Sequence, residues 1–127
     1  RWLDTPHMPH NWDAGVIYEE TTGTLFSSDL FTQFGPTAPS TESEIVGPAI
    51  ATEKAVPFMP VTPSTEPTLR RLAALEPTTI ALMHGPTYRG DGAAALADAS
   101  TGFHSRVSVV SVSRRWRRVS RSQGMRS

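Results

Sequence analysis

Residues 1–102 of this 127-residue chain hold all twelve acidic side chains, and residues 103–127 hold none. The first segment has five bases, Arg1, Lys54, Arg70, Arg71 and Arg89, for a net −7; the second has seven arginines, for a net +7. So abrupt a change argues against one continuous globule. The last stretch offers only Val107, Val109, Val110 and Val112 as a run for burial among Ser and Arg. Burying a valine stabilises by about 1.5–3 kcal/mol at best, whereas fixing each residue's backbone costs about 1–2 kcal/mol. The predicted organisation is therefore a folded part over 1–102 and a disordered basic tail over 103–127, within which Arg106–Val112 alone is patterned like an edge strand.

Composition removes several classes. No cysteine means no disulfide frame, no thiolate metal site and no cysteine nucleophile. The longest charge-free runs, Pro77–Tyr88 among them, have 12 residues, against about 20 for a membrane helix. No starting Met and no apolar leader are visible, so a cytoplasmic location is expected. A net charge of zero argues against nucleic acid as the main partner, although the arginines leave a local contact open.

Within 1–102 the pattern is that of an α/β protein. Gly15–Tyr18 and Thr24–Ser27 read as a hairpin, with Gly23 in its turn. Residues 36–68 hold seven of the eleven prolines. They read as loop, with 36–63 a lid over a site and one short helix around Glu44–Ala55. Ser64 or Thr65 caps a helix with Leu69, Leu72, Ala73 and Leu75 on one face, stopped by Pro77. Thr79–Met83 reads as a buried strand, and Gly90-Asp91-Gly92 as the cap of a second helix through Leu96. Trp12 and Tyr18 are expected to pack in the core, and Arg70-Arg71 to be a solvated helix face.

Four residues stand where apolar runs give way to loops. His7 and His10 follow the opening Trp-Leu-Asp, Asp29 follows Thr24–Ser27, and His84 follows Thr79–Met83. Sites in open α/β sheets form beyond strand ends, where loops converge on a rigid frame. Imidazole and carboxylate are donors that zinc, iron and manganese accept. A His near a turn is more often a surface residue, and an Asp ending a strand more often a turn residue, so spacing alone leaves the metal reading open.

The segments Thr5-Pro-His-Met-Pro-His-Asn-Trp-Asp-Ala-Gly-Val-Ile-Tyr18, Thr24-Leu-Phe-Ser-Ser-Asp-Leu-Phe31 and Met83-His-Gly-Pro86, taken in order, resemble the later half of a metallo-β-lactamase-fold domain. The resemblance implies a partial αββα sandwich over 1–102. It also implies a site in which Asp29 bridges two divalent metal ions, zinc or iron, and His84 is the final ligand. His10 matches the remaining histidine by its distances to Tyr18 and Asp29, and His7 is the alternative. Arg89, just after the final histidine, is a candidate contact for an anionic substrate.

The family's early His-rich metal loop is absent, so the chain reads as a fragment of a longer domain that binds metal weakly or not at all by itself. The change of composition near residue 100 reads as a reading-frame shift or a natural basic tail. The leading functional expectation is a fragment of a metal-dependent hydrolase acting on a small-molecule substrate through a metal-bridging hydroxide. The Phe-Ser-Ser-Asp-Leu-Phe run leans instead toward flavodiiron and oxygen-binding di-iron proteins, which bind or reduce dioxygen or nitric oxide. A third reading is a non-catalytic protein whose tail contacts nucleic acid. The full-length protein is a candidate homo-oligomer.

Overall fold

Successive side chains of a strand point to opposite faces, and along Gly15–Glu19 burial alternates although Val16, Ile17 and Tyr18 are all apolar. In the computed structural model, which describes residues 1–105, Val16 and Tyr18 are buried and Ile17 is exposed. This strand, β2 (Gly15–Glu19), pairs antiparallel with β1 (Trp2–Asp4) and with β3 (Thr24–Phe26). Gly23 turns the expected hairpin at φ +64, a conformation glycine adopts without steric cost. Glu19 also holds the turn, accepting N–H bonds from Thr21 and Thr22, both 2.8 Å.

The chain then leaves for the far edge of the sheet. It forms β4 (Ser40–Thr41), α1 (Val46–Ala55) and α2 (Thr65–Ala73), and returns as β5 (Thr79–Ala81), parallel to β3. β6 (Thr87–Arg89) pairs antiparallel with β5 and parallel with β4, giving the order β1-β2-β3-β5-β6-β4. A third helix, α3, occupies 92–105. Helices α1 and α2 each carry a proline in the first turn, Pro48 and Pro67, where no N–H is needed. Glu44 Oε1 accepts the Gly47 N–H (2.6 Å) at the start of α1, and Asp91 Oδ1 accepts the Ala94 N–H (2.9 Å) at the start of α3.

One hydrophobic cluster joins the sheet to the helices. Val16, Tyr18, Leu25 and Ile80 from the strands meet Ile45 and Ala49 at α1, Leu69 and Leu72 from α2, and Leu96, Ala99 and Phe103 from α3. The opposite sheet face keeps Trp2, Ile17 and Phe26 exposed. The fold of the described residues is thus mixed α/β, one sheet with one helical layer. Among the described residues there is no second sheet of a four-layer sandwich. No helix among them is long and apolar enough to cross a membrane.

Several local expectations are corrected. β5 ends at Ala81, and Met83 lies exposed in the following loop. Ser64 makes no side-chain cap to α2; its hydroxyl instead meets that of Thr62 at 2.7 Å. α2 ends before Pro77 because its last turn tightens, with Leu75 and Glu76 N–H groups reaching back three residues to Leu72 and Ala73, and Glu76 then takes φ +52. Trp12 is 81% exposed and packs in no core. The boundary at 102 falls inside α3, whose Phe103 is 3% exposed, because a helix capped at Asp91 presents residues 96, 99 and 103 on one face. The rest of the expected tail, including the Arg106–Val112 strand, lies outside the described residues.

Candidate metal centre

Strand directions bring three loops to one end of the sheet. β2 starts where β3 and β5 finish, so the loop joining β1 to β2, the segment after β3 and the segment after β5 share that end. These are the segments that carry His10, Asp29 and His84. Backbone bonds lace the last two together: Met83 N–H donates to Ser28 O (3.0 Å) and Gln33 N–H to His84 O (2.9 Å). The first loop closes on itself through Thr5 N–H to Ala14 O (2.8 Å) and His7 N–H to Trp12 O (2.9 Å).

Asp29 is the centre of the group. Its side chain is 16% exposed, and its Oδ2 is in direct contact with His10 Nε2. The other oxygen, Oδ1, lies 3.3 Å from His84 Nε2, but out of line for a hydrogen bond, so it is a buried carboxylate oxygen without a hydrogen-bond donor among the described residues. Each oxygen of one carboxylate therefore faces a different imidazole. An imidazole nitrogen facing a carboxylate oxygen is favourable when that nitrogen carries the ring N–H or when a metal ion lies between the two. The donor types suit iron or zinc. The number of donors does not close a shell: among the described residues no group of three or more His, Asp or Glu side chains is arranged to hold a metal ion.

Of the two first-loop histidines, His10 is the one that reaches Asp29. His7 Nδ1 accepts the Trp12 N–H at 3.1 Å and so closes its own loop. Arg89 is not brought to the group. β6 runs back from the site, and Arg89 pairs with Thr79 at the start of β5, the end opposite His84.

Two features near the group had no clear sequence signal. Among the described residues, four of the five non-glycine residues with positive φ lie in the loops that carry His10 and Asp29: His7 (63°), Trp12 (71°), Ser28 (53°) and Phe31 (67°). Such backbone costs about 1 kcal/mol or more per residue and gathers where geometry is over-determined. The second feature is a wall from the helical layer. Phe58 stands with its ring 6.3 Å from that of His10, tilted by 49°. With Asp29, Phe31, Met59 and Phe103 it lines a recess of about 10 Å³, room for about one water-sized molecule. Gln33 Nε2 is a second buried polar atom without a hydrogen-bond partner among the described residues. A lone aromatic in a proline-rich stretch and a glutamine after a strand carry no periodicity that would have marked them.

No protein-family profile and no curated protein sequence matches the chain. Solved structures do. The apo state of chemotaxis sensor ODP from T. denticola aligns with TM-score 0.60 and 22% identity over 76% of this chain and 42% of that one. The peroxy diiron species of chemotaxis sensor ODP aligns with TM-score 0.62 and 18% identity over 84% of this chain and 49% of that one. At these identities the likeness is one of fold. The present chain spans less than half the length of either structure.

Proposed function

We propose that this chain is part of a di-iron-binding protein that binds dioxygen or nitric oxide. The observation that carries the reading is Asp29, whose two carboxylate oxygens each face a different imidazole. Asp29, His10 and His84 are the side chains that would hold such ions. Support also comes from a structure of the same fold described as a peroxy diiron species. In this reading the metal ions supply the redox chemistry when bound. The same three side chains, Asp29, His10 and His84, would hold and orient them.

The metal-dependent hydrolase expected first would use the same ligands, but it has less support. Arg89, its candidate substrate contact, is at the wrong end of β5, and the similar structures are of a sensor. The nucleic-acid reading depends on arginines outside the described residues.

The test is an anaerobic titration of the 127-residue chain with ferrous iron, read by competition with a chromogenic chelator. Weak binding is expected, since three side-chain donors do not enclose an ion. Asp29→Asn and His84→Ala should abolish it, and His7→Ala should not if the loop still closes. Equal iron binding by the native chain and Asp29→Asn would sink the proposal.

A further inference from the structure

α1 buries Val46, Ala49 and Glu53 along one face. A glutamate at an otherwise apolar position is unfavourable unless its carboxylate is hydrogen-bonded. Glu53 is 2% exposed, and its Oε1 accepts two consecutive backbone bonds, from Phe58 N–H and Met59 N–H, both 3.1 Å. Those residues lie just beyond the end of α1, where Pro57 has already taken the chain off the helix. The carboxylate thus fixes the path of the returning loop, and that loop carries the ring that stands against His10. Met59, held by the same oxygen, is buried in the core beside the recess that Asp29 lines.

We propose that Glu53 is a positioning residue: by holding the Phe58 and Met59 backbone it sets the Phe58 ring against His10 and so keeps the His10 imidazole turned toward Asp29. As a role in metal binding this rests on the reading above. The contact itself does not depend on it. Hydrogen-bonding groups that orient metal-ligating imidazoles typically change metal affinity by about 10–100-fold when removed, and the Phe58 ring would act on His10 by restricting its rotation.

The experiment uses the whole chain and four variants, Phe58→Ala, Phe58→Leu, Glu53→Ala and Glu53→Gln. The first readout is metal-free: the His10 ring-proton resonances by NMR. Phe58→Ala and Phe58→Leu should shift them, because the ring current is lost. Glu53→Ala should shift them in the same direction, while Glu53→Gln, which keeps an acceptor oxygen, should stay near the native position. The second readout is ferrous-iron affinity, expected to fall about tenfold in Phe58→Ala and Glu53→Ala and to be restored in Glu53→Gln. Should Glu53→Ala fail to fold, hydrogen exchange in the native chain decides. The Phe58 and Met59 amides should be protected, and rapid exchange at both would overturn the proposal. So would His10 resonances that ignore Phe58→Ala. If the native chain binds no iron, the di-iron reading fails, and the NMR and exchange results still decide the role of Glu53.

Discussion

At the scale of single residues, Asp29 is held by its neighbours more than by its own strand. The Thr32 hydroxyl donates to the Asp29 carbonyl (2.6 Å), and Leu30 N–H to Ser27 O (3.1 Å), so the turn after β3 is closed before the side chain does anything. Glu19 shows the same economy at the other end of the hairpin. The Thr22 hydroxyl, then the Thr21 and Thr22 N–H groups, lower its pKa from 4.5 to about 2. A folded pKa below the unfolded one adds stability that is present above about pH 4.5 and is lost as the pH falls toward 2. The carboxylate is solvent-exposed, so the effect should be small. An NMR titration should place the Glu19 midpoint well below 4, and Glu19→Gln should remove that part of the acid sensitivity; an ordinary midpoint would show that the turn does not hold the carboxylate.

At the scale of elements, the start of α3 is set by a close approach. Gly92 donates its N–H to Pro77 O (2.9 Å), and a Cβ there would stand 2.3 Å from that same carbonyl oxygen. The clash is with backbone and cannot be relieved by a rotamer change. Gly92→Ala should therefore destabilise the fold by about 1–3 kcal/mol, the usual cost of overpacking, measured by urea denaturation. Leu96→Ala, one turn on in the core, should cost about 2–5 kcal/mol. A neutral Gly92→Ala would mean that α3 docks differently on Pro77.

At the scale of the whole molecule, the sheet has one face covered and one face left open by the described residues. Register aligns Trp2, Ile17, Phe26 and Ala81 in a row across four strands, and exposed Met83 stands beyond β5. An open depression of about 420 Å³ runs along this row. Contiguous exposed apolar surface drives association. The chain is expected to self-associate as concentration rises, measured by sedimentation velocity. Phe26→Lys should weaken that association with little effect on folding, since Phe26 is 49% exposed. A monomer at all concentrations would mean that the face is innocuous.

Local chemistry was legible in the sequence wherever a short stretch decides the outcome. Gly23 marked the hairpin, Asp91 the cap of α3, Leu69 and Leu72 the face of α2, and the strand ends marked His7, His10, Asp29 and His84 as candidates without choosing between the two first-loop histidines. Tertiary structure decided what depends on residues far apart. It paired β3 with β5 and so brought Asp29 to His84, gave His7 to its own loop and His10 to Asp29, and turned Arg89 away along β6. It also buried Glu53 in the helical layer and set Phe58 beside His10. Turn and cap preferences act over three or four residues and are written in the local sequence. Strand pairing and the burial of a charge are settled by partners dozens of residues away, and no local pattern encodes them.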